Sequence, residues 1–537
     1  MPATRGTRFE HHGAWPAIAE RAMMATADRH ATEAGVSVLR EGGNVVDATI
    51  AAAFALCVTQ PGMCGLGGGG HLLARRVDGT TLCLDFRECA PLSASRNMFI
   101  GSGIHVSRAG WRSSATPGTV SGLAAAHRRE GSLPWTRLLE PAIALANDGH
   151  QVTAMRAGMM AGSEALQCDE ESRRILLTAG RILRQQDLAR TLGRLASEGP
   201  EEFYQGETAE RLHREMALHD GLITRNDLAS YRTAERTPLP RTFNGYEVVT
   251  MPPSSAGGIG LLQTLGILEH TAYAEDGPGS AKFLHYVAEA LRRVFADRAS
   301  VIGDPEFADV PLHLLDSARL ARQSATIDPE RASPSWPAVA TQPIREGACT
   351  THVSALDSEG NACALTFTLN GMYGSGVTVP GLGFLLNNNM DNFAVKPGEP
   401  NQYGVIQGEV NAIAPGKRPV SSMTPVIVCK GGKAEMVAGT PGGPTIVSTM
   451  AQVLLYLLRF GLNPQDAINA PRIHHQWLPD VLYAERMLSP DTVNGLYSRG
   501  HQIEFKASIN DANAIIWRNG VLQGASDCRR EGVAEGL

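Results

Sequence analysis

The stretch of sequence that decides the fold reads CTTHVSALD, at residues 349–357. Its apolar and polar side chains alternate, and they alternate again in the stretch ACALTFTLN, which ends at Asn370. This period of two predicts strands at residues 351–356 and 362–369. The sequence DSEG between them, at 357–360, is typical of a tight turn, so we expect two strands joined by a short connection.

A row of polar groups lies on the second strand. Because alternate side chains share one face of a strand, Thr366, Thr368 and Asn370 are expected to point the same way. The adjacent Thr350 and Thr351 are unremarkable on their own, since threonine favours strands. Burying a row of polar groups costs free energy unless the groups face a cleft or a partner. The strand pair therefore predicts that this face borders a cleft or a partner.

The sequence on either side predicts further helices and strands. Asn44 is a plausible N-cap, with Asp47 in the first turn that follows. The predicted helices span residues 31–40, 44–58, 140–147, 281–298 and 445–459; the predicted strands span residues 71–76, 81–87, 424–429 and 434–437; and residues 116–320 are predicted to be mainly helical. Strand-rich stretches flanked by helices predict a layered α+β domain, in which sheets pack together and helices cover them.

The glycine run at residues 65–70, GLGGGG, has two interpretations. A phosphate-binding loop would end in Lys-Ser or Lys-Thr and lead into a helix, whereas this run precedes a predicted strand. Close backbone packing, where a side chain would collide with a neighbour, is the alternative that we favour.

Composition excludes several classes of partner. The chain has 537 residues, of which 43% are hydrophobic and 19% charged, and its formal net charge is −6. Its basic residues are scattered, so neither nucleic acid nor an anionic membrane is an expected partner. No window offers about 18 apolar residues without interruption by charge, Gly or Pro, so no membrane span is expected.

Cysteine usage and the N-terminal residues predict a reduced, cytoplasmic protein. The nine cysteines are scattered and form no C-x-x-C pair. Residues 1–30 carry several charges and lack an apolar run long enough for a signal peptide. The adjacent His474 and His475 lack a carboxylate or cysteine cluster that would complete a metal site. We therefore expect neither a metal nor a cofactor.

Nearly the whole chain resembles the γ-glutamyltranspeptidases. The blocks that carry the resemblance are EGGNVVDA at 41–48, GLGGGG at 65–70, LDFRECAP at 84–91, TTH at 350–352, TFTLN at 366–370, LLNNNMDNF at 385–393, PNQYG at 400–404, GKRPVSSMTP at 416–425, TPGGP at 440–444 and NAPRIHHQWLP at 469–479. So many blocks in the right order are far more specific than any single motif. The resemblance is weakest between residues 151 and 241.

This resemblance implies the fold and chemistry of the N-terminal nucleophile hydrolases, which form a four-layer α-β-β-α sandwich. It implies that the precursor cuts itself between Cys349 and Thr350. The large subunit would comprise residues 1–349 and the small catalytic subunit residues 350–537, with both building one compact domain. A threonine hydroxyl needs a base within hydrogen-bond reach. The new α-amine of Thr350 would serve as that base, since the α-amine of a peptide has a pKa of about 8.

The resemblance also assigns roles to other residues. Thr368 matches the threonine that orients the nucleophile, and Gly442 and Gly443 match the glycines whose N–H groups form the oxyanion hole. Substrate-binding roles fall on Arg87, Ser421 and Ser422 for the substrate α-carboxylate, on Asn370, Asn389 and Asn392 for its α-ammonium, and on Tyr403 as a lid. A guanidinium suits a carboxylate because its fork makes two parallel hydrogen bonds.

The ammonium pocket departs from the family pattern. Asn389 stands where Gln or Glu is usual, and Asn392 stands where Asp is usual. By sequence, the pocket therefore has three amides and lacks a negative charge. Losing a charge-assisted contact to an ammonium costs roughly 1.5–3 kcal/mol.

Three functions remain open on sequence alone. The first is hydrolysis or transfer of γ-glutamyl groups from glutathione and related amides through a γ-glutamyl-Thr350 intermediate. The second is the same mechanism on glutaryl-type amides that lack the α-amine, as in cephalosporin-acylase-like relatives. The third is a non-catalytic binding protein, which would have no need for Thr350, Thr368, Gly442 and Gly443 together. The expected partners are a small-molecule amide and the two subunits of the chain's own precursor.

Overall fold

The computed structural model describes residues 15–103, 105–177, 180–336 and 349–537. The prediction about a signal peptide concerns residues 1–30, and residues 1–14 lie outside these ranges. The strands are β1 Ala17–Ala19, β2 Ala22–Thr26, β3 Gly69–Arg75, β4 Thr81–Phe86, β5 His150–Gln151, β6 Ile182–Leu183, β7 Ala234–Glu235, β8 Leu239–Phe243, β9 Tyr246–Thr250, β10 Cys349–Asp357, β11 Ala362–Asn370, β12 Val426–Lys430, β13 Lys433–Gly439, β14 Ile473–His474, β15 Leu482–Glu485, β16 Ile503–Lys506, β17 Asn513–Arg518, β18 Val521–Ser526 and β19 Val533–Gly536.

Helices and strands are interspersed along the chain. They are α1 Arg29–Arg40, α2 Val45–Thr59, α3 Thr119–Glu130, α4 Trp135–Asp148, α5 Ala154–Ala161, α6 Glu164–Cys168, α7 Glu170–Ser172, α8 Gln186–Glu198, α9 Glu201–Gln205, α10 Glu207–Leu218, α11 Arg225–Ser230, α12 Ala256–Leu268, α13 Ala281–Val301, α14 Ser317–Ala325, α15 Thr445–Leu454, α16 Pro464–Asn469 and α17 Pro490–Ser498.

Two seven-stranded antiparallel sheets form the centre of the molecule. The order of the first is β19-β2-β10-β11-β3-β4-β7, and the order of the second is β1-β18-β17-β13-β12-β9-β8. The predicted pair of strands is β10 and β11, which lie side by side in the middle of the first sheet. At the turn, the Asp357 carboxylate accepts hydrogen bonds from the backbone N–H groups of Glu359, Gly360 and Asn361.

Successive side chains of each strand pack into different layers of the molecule. Leu72 packs with the helices α1 to α4 on the outer face of the first sheet, whereas its neighbour Leu73 enters the core between the sheets. On the second sheet, Val428 packs against α12, α13 and α15, whereas Ile427 faces the inter-sheet core. The architecture is therefore the predicted α-β-β-α sandwich.

The structure confirms the start of one predicted helix, changes the end of another and adds strands that were not predicted. α2 begins as predicted, with Asn44 as N-cap in a capping box with Asp47. The helix predicted at 445–459 is α-helical to Leu454 and ends in a π-helical turn, Leu455–Arg459. The predominantly helical middle section also contains β8 and β9. β8 was not predicted because it is a partly exposed edge strand that contains Pro240, and a proline weakens the strand signal.

The glycine run allows three backbones to approach one another. A Cβ at Gly67 would lie 2.2 Å from the carbonyl oxygen of Leu385, and a Cβ at Gly68 would lie 2.1 Å from that of Thr368. Both distances are far shorter than real Cβ contacts allow. The close-packing interpretation is confirmed, and the run holds β11 and the 385–387 segment against the start of β3.

Gly68→Ala is expected to destabilise the protein by about 2 kcal/mol, because the new methyl group would push against the strand that carries Thr368. The matched control is Gly158→Ala in α5, where an added Cβ meets nothing within 4 Å. There the change should be neutral or stabilising. Urea unfolding of both variants checks this, and equal stabilities would contradict it.

Candidate active site

Thr350 lies at an irregularity in the central sheet. Cys349 pairs with Asn370 and Thr351 pairs with Phe367, so the register of β10 against β11 shifts between Cys349 and Thr351. Between these two pairs β10 has one residue and β11 has two, so the extra residue lies on β11. Thr350 and Thr368 contact each other at this irregularity.

The Thr350 hydroxyl belongs to a compact group of oxygens. Its Oγ1 lies 2.6 Å from the carbonyl oxygen of Cys349 and 3.2 Å from Oγ1 of Thr368. The Thr368 hydroxyl donates to the same Cys349 carbonyl at 2.5 Å and accepts from the backbone N–H of Asn370 at 2.8 Å. Thr368 therefore holds both the hydroxyl and the peptide carbonyl that precedes it.

The three polar residues of β11 that were predicted to share one face belong to two different sites. Thr368 and Asn370 lie at this site, whereas the Thr366 hydroxyl contacts Nδ1 of His352 at 2.7 Å. The Nε2 of His352 contacts the Ser354 hydroxyl, and this hydroxyl donates a hydrogen bond to the Asn513 side chain on β17 of the other sheet. Burial lowers the pKa of His352 to about 3, so this imidazole is neutral near pH 7. Thr366 thus belongs to a buried polar layer between the sheets.

Contacts lead from Thr368 to the predicted lid. Asn370 ends β11 with φ of +79°, a conformation that asparagine tolerates. The Tyr403 hydroxyl donates to the Asn370 backbone carbonyl at 2.6 Å and lies 3.1 Å from its Oδ1. A Cβ at Gly443 would be 3.4 Å from the Tyr403 ring. Thr350, Thr368, Asn370, Tyr403 and Gly443 are therefore brought together.

The two predicted oxyanion glycines precede helix α15. Gly442 has φ of +134° and Gly443 has φ of +55°, both in the region that favours glycine. Within the described part of the chain, neither of their N–H groups donates a hydrogen bond. The start of a helix carries partial positive charge, which favours a developing anion.

Asn510 supports this loop and was not predicted from the sequence. Its Oδ1 accepts from the Thr445 hydroxyl at 2.6 Å, and its Nδ2 donates to Thr449 at 3.0 Å. A Cβ at Gly442 would collide with the Asn510 side chain at 2.0 Å. The sequence signal was weak, because Asn510 is 68 residues from Gly442 and lies outside every recognised block.

A second cluster surrounds Arg87. The guanidinium is fully buried, and it donates to Glu88 at 2.8 Å and to Asn389 Oδ1 at 2.9 Å. Asn389 donates to the Glu88 carboxylate at 2.6 Å and accepts from Asn392 at 2.7 Å. The Nε–H of Arg87 is buried without a partner among the described residues. Arg87, Asn389 and Asn392 thus form one hydrogen-bond network. The Asn370 side chain is linked to this network through the backbone, because it donates to the carbonyl of Asn388, the residue before Asn389.

The expectation of a pocket without negative charge was wrong. Glu88 supplies a carboxyl directly against Asn389, and sequence reasoning missed it although it follows Arg87 in the block LDFRECAP. Burial raises the pKa of Glu88 to about 7, against the lowering effect of the Arg87 cation. The pocket is therefore partly ionised near neutral pH.

The backbone of Ser421 is linked to Arg87 through Ser254 and Asp85, whereas the contact of Ser422 leads elsewhere. The Ser421 N–H donates to the Ser254 carbonyl, and the Ser254 hydroxyl donates to Asp85. Asp85 in turn accepts from the backbone N–H of Arg87 at 3.0 Å. Ser422 lies on the same segment, and its carbonyl accepts from Thr424. In the described residues, no direct hydrogen bond joins either serine to the guanidinium.

Within the described ranges, no group of three or more His, Cys, Asp or Glu side chains could hold a metal ion. His474 contacts Ser448 and Gln476, whereas His475 contacts Asp480. The helices of the described ranges are too short or too polar to cross a bilayer.

Comparisons with known proteins identify the family to which the chain is similar. The sequence profile of the gamma-glutamyltranspeptidase family matches residues 31–537. The chain is 43% identical to the glutathione hydrolase proenzyme of Escherichia coli (strain K12), over 96% of this chain and 91% of that protein. It is 35% identical to the Acylase ACY 1 proenzyme of Pseudomonas sp. (strain SE83), over 96% of this chain and 94% of that protein. A crystal structure of cephalosporin acylase from Bacillus halodurans has a TM-score of 0.86 at 27% identity, covering 100% of this chain and 98% of that chain.

Two packed sheets between helical layers, together with the match to the cephalosporin acylase structure, give the chain the fold of the N-terminal nucleophile hydrolases. Within that class, the chain belongs to the γ-glutamyltranspeptidase family, and it is a hydrolase.

Glu88 predicts that ligands with an ammonium group bind more tightly as pH rises through 7. Raising the pH from 6 to 8 ionises the carboxyl, so the Kd of L-glutamate should fall about five- to tenfold. Glutarate lacks the ammonium and is the control; its Kd should not fall. Titration calorimetry on the processed protein measures both. A pH-independent Kd for L-glutamate, or the same dependence in Glu88→Gln, would contradict this role.

Proposed function

We propose that this protein is a self-processing amidohydrolase that forms an acyl-enzyme on Thr350. The observation that carries the proposal is the approach of Thr350 Oγ1 to the Cys349 carbonyl, with the Thr368 hydroxyl bonded to both. This geometry supports attack of the hydroxyl on the preceding carbonyl. The peptide C–N bond breaks, the Thr350 nitrogen takes a proton, and an ester links Cys349 to Thr350 Oγ1. Water then hydrolyses the ester.

The cut divides the chain into residues 1–349 and 350–537. The two pieces are expected to stay together, because they share both sheets. β10 and β11 of the small piece pair with β2 and β3 of the large piece, and β12 pairs with β9. Separating them would expose the inter-sheet core to water.

After the cut, the Thr350 α-amine acts as the base for its own hydroxyl. The hydroxyl oxygen attacks the carbonyl carbon of the substrate amide, and the proton passes through the amine to the leaving nitrogen. The N–H groups of Gly442 and Gly443, at the start of α15, would stabilise the oxyanion, a contribution of about 3–4 kcal/mol in comparable sites. Water or a second amine then takes the acyl group from Thr350.

The acyl group that fits best is γ-glutamyl, as in glutathione. The Glu88 carboxyl beside Asn389 supplies negative charge for an α-ammonium, and Arg87 lies in the same network for an α-carboxylate. The relative from Escherichia coli is named a glutathione hydrolase proenzyme, which supports the same substrate.

One observation favours a glutaryl-type acyl group as the second candidate. Asn392 stands near Asn389 as an amide rather than a carboxylate, and the Glu88 charge is already shared with Arg87. The likeness to a structure described as a cephalosporin acylase supports the same candidate.

Thr350→Ala is expected to remain one uncut chain without activity, because it removes the attacking oxygen. Thr368→Val keeps the side-chain shape but removes the hydroxyl that holds the Cys349 carbonyl, and it should slow the cut at least about tenfold. Denaturing gels over time, with N-terminal sequencing of the small piece, measure both effects.

The matched control is Thr351→Val. The Thr351 hydroxyl is buried without a hydrogen-bond partner among the described residues, so its loss should leave the cut unchanged. Rapid cutting of Thr350→Ala, or equal slowing in Thr351→Val and Thr368→Val, would show that a different group acts.

The processed enzyme is expected to have a higher kcat/KM on γ-glutamyl-p-nitroanilide than on glutaryl-p-nitroanilide. Asn392→Asp should raise this ratio about tenfold or more, since a second carboxylate joins the ammonium pocket. Both substrates share their leaving group, so the ratio reports the acyl pocket. A wild-type preference for the glutaryl compound would select the second candidate, and an unchanged ratio in Asn392→Asp would place the ammonium elsewhere.

A further inference from the structure

A buried cluster of polar side chains lies between the two sheets, next to the backbone of Arg87. Asp85 of β4 and His71 of β3 are paired across adjacent strands. The Asp85 side chain enters the space between the sheets, as that of Cys83 does two positions earlier on β4. Ser254, from the connection between β9 and α12, reaches the same space, and the three residues of the cluster are fully buried. No role assigned so far falls on this cluster.

The Asp85 carboxylate links the backbone of Arg87 to Ser254. Its Oδ1 accepts from the Arg87 N–H at 3.0 Å, and its Oδ2 accepts from the Ser254 hydroxyl at 3.1 Å. The Ser254 backbone carbonyl in turn accepts from the backbone N–H of Ser421 at 3.0 Å. Three hydrogen bonds therefore connect Arg87, which follows β4 of the first sheet, to the segment that leads into β12 of the second sheet.

Two arginines keep the Asp85 carboxylate ionised. Nε of Arg236 lies 3.6 Å from its Oδ2, and Nε of Arg418 lies 3.8 Å from its Oδ1. Although burial raises it, the pKa of Asp85 is held well below its usual range by the contacts with His71 and these arginines. Arg418 is three residues before Ser421, so its attraction to Asp85 draws the same segment toward the first sheet.

Ser254, His71 and Asp85 are the residue types of a serine-hydrolase triad, but their geometry differs from that of a triad. In a triad, the serine and the carboxylate contact different nitrogens of the histidine. Here Nε2 of His71 lies 3.4 Å from both Ser254 Oγ and Asp85 Oδ1, and Nδ1 is buried without a partner among the described residues. The histidine therefore cannot take the serine proton on one nitrogen while the carboxylate orients it through the other. The cluster fits a positioning role instead.

We propose that Asp85 and Ser254 are positioning residues for the carboxylate-binding side of the acyl pocket. They set the distance between Arg87 and the 421–422 segment, and with it the selectivity for acyl groups that carry a carboxylate. The inference rests on the proposed function, in which Arg87 and the two serines bind the substrate α-carboxylate. It adds the residues that hold these groups in place across two sheets, because hydrogen bonds to one carboxylate weaken steeply when a donor is displaced.

The test compares two substrates that share the amine and the p-nitroanilide leaving group but differ in the α-carboxylate: γ-glutamyl- and 4-aminobutyryl-p-nitroanilide. If the wild type prefers glutaryl groups, glutaryl- and butyryl-p-nitroanilide form the pair. The wild type should favour the carboxylated compound at least about tenfold in kcat/KM. Ser254→Ala removes the hydroxyl that joins the two sides, and it should reduce this preference about fivefold by raising KM for the carboxylated substrate. Its kcat/KM on the other substrate should stay within about twofold of the wild type.

A second variant and a control accompany Ser254→Ala. Asp85→Asn keeps the shape of the side chain but removes its charge, and it should reduce the preference at least as much. The matched control is Thr250→Val. The Thr250 hydroxyl is equally buried and donates to the Pro425 carbonyl at 2.9 Å, on the segment that follows the two serines, and in the described residues no hydrogen bond joins it to Asp85. This variant loses a comparable hydrogen bond and should keep the wild-type preference.

The outcomes separate the two claims. Denaturing gels and thermal unfolding show which variants are cut and folded, and if Asp85→Asn is not, Ser254→Ala decides. If the wild type cleaves none of the four p-nitroanilides, the proposed function fails and this inference fails with it. If it cleaves them without preferring a carboxylate, hydrolysis stands and the positioning role alone is overturned. A preference that a folded Ser254→Ala or Asp85→Asn leaves unchanged, or one that Thr250→Val reduces equally, also overturns it.

Discussion

The contact on which the site depends is the hydrogen bond from Thr368 to the Cys349 carbonyl, at 2.5 Å. It exists because β10 and β11 are neighbours in the centre of a sheet and because their register shifts between Cys349 and Thr351, opposite Thr368. The glycines at 67–70 let β3 lie flush against β11 and so fix the position of Thr368. The chemistry that we propose at Thr350 therefore depends on strand register.

Charge balance forms the second constraint, on the acyl side. Arg87 is fully buried and would be costly alone, so Glu88 and Asn389 share its donors. The same arrangement places a carboxyl with a pKa of about 7 beside Asn389. Under the proposed function, discrimination between ligands with and without an ammonium depends on protonation as well as on shape.

Much of the fold and of the candidate site was predictable from the sequence, and the features that were missed have physical explanations. Alternation and the DSEG turn were sufficient for β10 and β11, and a capping box was sufficient for α2. Edge strand β8 was missed because it is short, half-exposed and contains proline. Glu88 and Asn510 were missed because their roles come from contacts with residues 301 and 68 positions away, Asn389 and Gly442, which no local pattern records. The roles that the resemblance assigns to the site residues, Ser421 and Ser422 included, remain predictions.

The most direct test of the central claim is intact mass spectrometry of the enzyme after rapid quenching with γ-glutamyl-p-nitroanilide. The account predicts two pieces, with the smaller one beginning at Thr350 and gaining the mass of one acyl group. Fragmentation should locate that mass on Thr350. An uncut chain, a different N-terminus, or an acyl group on another residue would contradict Thr350 as the nucleophile.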